Sequence, residues 1–243
     1  MNPSGRLVDA TTMGGEFMRW VTYLSPSGGA ERPGVVDDGC VFGYPGEETV
    51  PELLAESRDA LADAFQRALA SPVEIIVEFE TRLCAPYLPA GPVMVRRASG
   101  EACAITPDLV RGTDDGIMVP AGVGALVAEV GVAALFGGRG LHAGYTLACL
   151  WLSSTGEPVG LTLGPAIVTH DEFDGSDLTV TATVEGEEVA SAALDGKLAW
   201  TEELEGDIAI ALPAASRPLE SGEEFHVDGG TLGEFEIRVG AAA

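Results

Sequence analysis

From Val73 onward the chain is a succession of short apolar runs, each ended within a few residues by Gly, Pro, Asp or Ser, and no segment there repeats its apolar residues at helical spacing. Such a chain buries its side chains only between sheets, so the fold class is α+β and mostly β. Strands are expected over 73–79, 82–85, 93–96, 116–119, 126–136, 145–153, 166–169, 178–184, 189–194, 208–212, 224–227 and 232–239. The clearest is Leu178-Thr179-Val180-Thr181-Ala182-Thr183-Val184, which alternates throughout, with Glu185-Gly186-Glu187 as the turn into its partner. So many short strands do not suit a flat open sheet, and a rolled, barrel-like mixed sheet is expected instead.

The N-terminal part is patterned differently. Residues 1–17 show no periodicity and read as a disordered leader. Met18 to Tyr44 reads as a small antiparallel sheet, in which Asp37-Asp38-Gly39 between Val35-Val36 and Cys40-Val41-Phe42 marks a hairpin, because Gly accepts the positive φ of a tight turn. Thr49, Pro51 and Glu52 then give a capping-box start to one helix over 50–70, with a break near Ser57. The expected organisation is a small α+β subdomain over 18–80 and a β body over 81–243.

Charge narrows the partners. With 13 Lys+Arg against 38 Asp+Glu the net charge is -25, which opposes binding to nucleic acid and to anionic membrane, since both require clustered basic residues. No run approaches the roughly 20 apolar residues of a spanning helix, and the start lacks the charged-then-apolar order of a signal peptide, so a cytoplasmic protein is expected. Cys40, Cys84, Cys103 and Cys149 lie far apart, which fits reduced thiols in or near the core rather than a zinc cluster or disulfide framework.

Few residues carry chemistry. His142, His170 and His226 have neither zinc-helix spacing nor a Gly-x-Ser-x-Gly elbow, and His170 and His226 read as surface or turn residues. Asp37-Asp38, Asp114-Asp115, Asp171-Glu172 and Glu202-Glu203 mostly stand beside Gly or Ser and read as solvated turns. Glu129 differs, because it interrupts the apolar run Leu126 to Phe136: a carboxylate inside a core strand must find a partner or take up a proton. It is either an acid–base group or a residue on an outward strand face. Gly137-Gly138-Arg139-Gly140 lacks the Lys-Ser/Thr of a phosphate loop and reads as a tight connection. Arg96-Arg97 and Arg111 are scarce cations that either hold an anionic group or pair with neighbouring acids.

The order of segments resembles the fumarylacetoacetate hydrolase family. Met18-Arg19-Trp20-Val21-Thr22-Tyr23, then Arg32-Pro33-Gly34-Val35-Val36-Asp37-Asp38-Gly39, then Pro51-Glu52-Leu53-Leu54 are similar to its N-terminal subdomain. Gly144-Tyr145-Thr146-Leu147-Ala148 looks like its Gly-Tyr-Thr-x-Ala strand, Leu163-Gly164-Pro165 like its Leu-Gly-Pro strand, and Gly206-Asp207-Ile208-Ala209 like its Gly-Asp-Val-Ile strand. The resemblance runs over residues 18–240 and implies a rolled mixed β fold, a homodimer, and a pocket that binds Mg, Mn or Ca.

The chain departs from that pattern at the metal. The resemblance places the three carboxylate ligands at Glu129, Gly131 and Leu150, so two of the three are gone, and neither a metal nor another cofactor is expected. The family's lid, with its histidine, has no counterpart after Val95, and its lysine before a proline aligns with Thr106. The helix expected before the Gly-Asp-Val-Ile strand shrinks to Asp195-Gly196-Lys197-Leu198. The expected site therefore has Glu129 as titrating group, Tyr145 or His142 as donor, and an apolar wall of Leu150, Trp151 and Cys149 with Arg96 and Thr106 as polar contacts. It suits a metal-independent cyclisation, dehydration or isomerisation of a bulky hydrophobic, polyketide-like molecule in specialised metabolism. Two alternatives stand beside it: an inactive binding or partner subunit, recognisable by a filled core beside Trp151, and a metal-assisted C–C hydrolase or decarboxylase using Asp114, Asp115 or Glu172.

Overall fold

The computed structural model describes residues 18–137, 142–170, 173, 178–194 and 207–242. The expected leader, the Gly-rich connection at 138–140, Asp171-Glu172, residues 195–198 and Glu202-Glu203 lie outside the described residues. Three strands, β1 (Arg19–Leu24), β2 (Glu31–Asp37) and β3 (Cys40–Gly43), form the N-terminal meander. Its hairpin turns at Asp38 (φ 45°) and Gly39 (φ 71°), the left-handed pair that a two-residue loop demands.

The helical stretch is divided at Ser57 into α1 (Val50–Ala55) and α2 (Arg58–Ala70). Glu52 accepts from the Thr49 N–H at 2.7 Å and from its hydroxyl at 2.8 Å, and Ser57 accepts from the Ala60 N–H at 3.2 Å, so each start has its own cap. Val50, Leu53, Leu54, Leu61, Phe65 and Ala68 turn inward from these helices.

The body follows as β4 (Ile75–Val77), β5 (Leu83–Cys84), β6 (Val93–Arg96), β7 (Ala102–Ile105), β8 (Val110–Arg111), β9 (Gly116–Ile117), β10 (Leu126–Phe136), β11 (His142–Ser153) and β12 (Pro158–Thr169). Then come β13 (Leu178–Val184), β14 (Glu187–Leu194), β15 (Ile208–Ala215), β16 (Glu224–Asp228), β17 (Glu234–Arg238) and β18 (Ala241–Ala242). The main sheet runs β4-β3-β2-β1-β12-β11-β10-β15-β6-β7, with β5 on β1 and β8 on β12, and it is mixed because β6–β15 and β8–β12 pair in parallel. Through β1–β12 pairing, the N-terminal meander is continuous with the body. A second sheet, β14-β13-β16-β17, is antiparallel throughout.

Strands β10, β11 and β12 are buried on both faces, which is why their sequences are mostly apolar or small residues without polar alternation. One face packs with α1 and α2 and includes Ala133, Leu135, Ala148, Leu150 and Leu152. The other packs against the second sheet and includes Val130, Val132, Tyr145, Leu147, Cys149 and Trp151. Several expectations need correction: 73–79 shortens to β4 followed by a 3-10 turn, 116–119 shortens to β9, β7, β8 and β18 were not anticipated, β11 begins at His142 rather than Tyr145, and β12 begins at Pro158 rather than Ala166.

Candidate functional site

Alternation along β10 and β11 decides which expected residues can meet. Glu129 stands opposite Leu150, on the face turned to the helices, whereas Tyr145 stands opposite Ala134 on the face turned to the second sheet. Glu129 therefore shares no site with Tyr145 and His142. The expected apolar wall is divided in the same way: Leu150 points to one core, Cys149 and Trp151 to the other, and all three are 0% exposed. The Trp151 indole N–H donates to Thr162 Oγ1 at 3.0 Å and its ring meets Phe225 edge-on at 5.3 Å. These residues are core, and the open cavity expected beside Trp151 gives way to side-chain packing.

Glu129 has found the partner that burial requires. Arg97 Nη2 donates to Oε1 at 3.0 Å, Nε lies 3.3 Å from both oxygens, and the Ala98 N–H reaches Oε2 at 3.3 Å. Arg97 sits in the turn between β6 and β7, closed by Arg97 N–H to Glu101 O and Gly100 N–H to Arg97 O, both at 2.8 Å. Hydrogen bonding to Glu129 pushes the guanidinium further up, and burial pushes up the neighbouring Cys103 thiol, with Arg97 opposing. Of the expected pair of arginines, Arg97 rather than Arg96 makes this contact. Thr106 is exposed, at the far end of the β6–β7 hairpin, where its carbonyl accepts from the Leu109 N–H.

The positions that the family resemblance assigns to a metal do not fit a hard divalent cation. Glu129 is already paired to a guanidinium, Leu150 offers no donor, and a Cβ at Gly131 would run into the Ala211 carbonyl and the Pro213 ring where the β10–β15 register slips. The substitute carboxylates are engaged in turns: Asp114 Oδ2 accepts from the Leu83 N–H at 2.6 Å, and Asp115 accepts from the Gly112 N–H at 2.7 Å and pairs with Arg82 at 3.1 Å. Among the described residues no three His, Cys, Asp or Glu side chains are grouped to hold a metal ion. Arg111 turns back onto the Asp108 and Val110 carbonyls, and His226 pairs with Glu234 at 3.2 Å on the surface.

On the opposite face a different group assembles. The buried Tyr145 hydroxyl lies 3.3 Å from His142 Nδ1 and 3.2 Å from His170 Nδ1, and the two imidazoles stack at 5.5 Å. Phe136 lies 4.6 Å from the His142 ring and Phe173 meets Tyr145 edge-on at 5.4 Å. Burial, with His170 adding to it, holds the His142 imidazole below its ordinary value. His170 lies in the turn after β12, as expected, but is also a member of this group; antiparallel pairing of Gly144 with Thr169 brings that strand end to Tyr145. A separate cavity of about 560 Å³, lined by Arg19, Phe79, Thr113, Asp114, Asp228 and Glu234 among others, contains Asp114 of the alternative carboxylates but neither Glu129 nor the Tyr145 group.

No protein-family model matches the sequence, and no curated protein matches it. Solved structures do match the fold. Maleylpyruvate hydrolase from Sphingobium sp. SYK-6 superposes with a TM-score of 0.73 at 17% identity, over 91% of this chain and 99% of that one, and the same enzyme was solved with manganese(II) and pyruvate. Fumarylacetoacetate hydrolase from Exiguobacterium antarcticum gives 0.69 at 21% identity over 92% and 99%. The 2-hydroxyhepta-2,4-diene-1,7-dioate isomerase from Mycobacterium marinum gives 0.67 at 17% identity over 91% and 98%. The chain thus has the fold of these proteins.

Proposed function

We propose that the chain is a divergent member of the fumarylacetoacetate hydrolase family and an enzyme that transfers protons on a bulky apolar substrate without the family's divalent metal, with Tyr145, His142 and His170 as its acid–base groups. The observation that carries this reading is the Tyr145 hydroxyl, set between two imidazole Nδ1 atoms. In this reading the hydroxyl donates its one proton to one ring and accepts from the other, an arrangement that both 3.2–3.3 Å distances allow. The first ring is then an Nε2–H tautomer, an acid, and the second has a bare Nε2, a base. In an isomerisation the bare nitrogen removes a proton from carbon beside a carbonyl, and the other ring returns one at the far end of the conjugated system. Proton passage through the Tyr145 hydroxyl then returns both rings to neutral with their tautomers exchanged, and proton exchange of the two Nε2 atoms with solvent, with passage back through the hydroxyl, resets them for the next turnover.

Phe136 and Phe173 give this group an apolar surround, which favours a hydrophobic, enolisable or conjugated carbonyl compound over a small keto acid. The lowered basicity of His142 keeps it neutral near pH 7, the form a base requires. The presence of both a hydrolase and an isomerase among the fold neighbours supports an enzyme, since one scaffold hosts several chemistries.

The test is turnover of a panel of enolisable and conjugated ketones, from keto acids to long apolar chains, with and without excess EDTA. Apolar members are expected to turn over equally in both, with rates lower by about 10²–10⁴-fold in Tyr145→Phe and His170→Gln proteins that remain folded. Turnover that EDTA abolishes and manganese restores, or that survives Tyr145→Phe, overturns the proposal. A second reading, a non-catalytic binding or partner subunit, is favoured by the complete burial of Leu150, Cys149 and Trp151; binding of apolar ligands with no turnover across the panel would establish it.

A further inference from the structure

We infer that the Arg97 guanidinium stands where the family resemblance places a divalent cation, so that Glu129, Gly131 and Leu150 form a centre whose positive charge is built into the chain. The inference stands on the Glu129 centre and the fold, and it holds whether or not the Tyr145 group turns over a substrate.

Charge balance is the first argument. A divalent ion among three carboxylates leaves a net charge of about -1, and loss of the ion alone would leave three buried acids repelling one another. Here two acids have disappeared together with the two positive charges, and one carboxylate faces one guanidinium. Packing is the second. Gly131 is closed off by the Ala211 carbonyl and Pro213, and Leu150 is fully buried opposite Glu129, so the space for the other two ligands has been filled rather than vacated. Geometry is the third. Nε and Nη2 of Arg97 both face the two carboxylate oxygens, and the Ala98 N–H adds a further donor, so the carboxylate is satisfied by one short turn. That turn belongs to the β6–β7 hairpin, which follows Val95 where the family resemblance leads to expect a longer lid, and the ion pair pins it onto β10.

The test measures Mn(II) binding by electron paramagnetic resonance and calorimetry, with no activity readout. Wild type is expected to bind Mn(II) no better than its Glu129→Gln variant. Arg97→Ala combined with Leu150→Asp frees Glu129 and places a second carboxylate opposite it, and is expected to bind Mn(II) about tenfold or more tightly than wild type, an increase that Glu129→Gln removes. Should the double variant fail to fold, Arg97→Ala alone is expected to show a manganese-dependent rise in Tm that is absent once Glu129→Gln is added. Wild type binding Mn(II) through Glu129 as tightly as the double variant overturns the inference. So does a folded double variant that binds no better than wild type, or an Arg97→Ala protein indifferent to manganese.

Discussion

Removing either member of the Arg97–Glu129 pair should not be equivalent, because the two side chains differ in access to water. The Glu129 side chain is 5% exposed and that of Arg97 is 20% exposed. Arg97→Ala leaves a buried carboxylate with the Ala98 N–H as its remaining donor from this turn, a loss of about 3–5 kcal/mol for breaking a buried pair from the side that strands the charge. Glu129→Gln retains the shape and one acceptor oxygen, and the longer arginine can turn toward solvent, so its cost is about 1–2 kcal/mol. For a chain of this length each kcal/mol moves Tm by about 2–4 °C, so the two variants should differ by roughly 4–8 °C. The combined variant should be more stable than the sum of the single losses implies, by at least about 1 kcal/mol. Urea and thermal unfolding at neutral pH measure all three. A Glu129→Gln protein as destabilised as Arg97→Ala, or a cycle that is simply additive, would refute the buried ion pair.

Three further outcomes are expected. Trp151→Phe leaves the Thr162 hydroxyl without its indole donor and opens space beside Phe225, so stability should fall by about 2–3 kcal/mol, and a loss below about 0.5 kcal/mol in urea unfolding would argue against this packing. Gly131→Ala drives a Cβ into the Ala211 carbonyl and should destabilise by about 1–3 kcal/mol; an unchanged unfolding midpoint would show that β15 yields freely. His142 is held below its ordinary value of 6.5, so the unfolded chain takes up this proton more readily than the folded one. Its contribution to stability is present above the unfolded value and is lost as pH falls through the lowered folded value. Wild type should accordingly lose more Tm than His142→Gln between about pH 7 and pH 5, and parallel Tm–pH curves would count against a buried, neutral His142.

The parts of the fold legible in the sequence are those whose pattern is local. β10 and β13 match their expected bounds residue for residue, because one is a long apolar run interrupted at Glu129 alone among charged residues and the other a strict alternation. The first half of β12 is hidden by Pro158, Gly160 and Gly164-Pro165, residues of poor strand propensity that are extended because β11 pairs with this segment. β7 is hidden similarly, since Ala102-Cys103-Ala104 carries little strand signal without its partner Val93–Arg96. At the candidate site the sequence shows Glu129 as a buried acid and Arg96-Arg97 as scarce cations, but which arginine meets it depends on where the hairpin turns. His170 could have been placed beside Tyr145 by pairing the Gly-Tyr-Thr and Leu-Gly-Pro strands antiparallel, which sets Gly144 against Thr169.

The sheet itself keeps the Glu129 pair and the Tyr145 group apart. Glu129 opposite Leu150 and Ala134 opposite Tyr145 are five strand positions apart, roughly 17 Å along the ladder, and they face opposite cores. Between them the faces of β10 and β11 are filled by Val130, Val132, Leu147 and Cys149 on one side and Ala133 and Ala148 on the other, with no exposed surface. Sites separated in this way respond to substitution independently, because they share neither partners nor a hydrogen-bond network. Gly131, Leu150 and the Glu129–Arg97 pair are thus packed on one face without reference to Tyr145 on the other. The converse also holds: two imidazoles can gather at the strand ends of β11 and β12 while the helix-facing core stays packed. The fold is retained because the burial that specifies it lies in the long central strands, whichever face carries the polar groups.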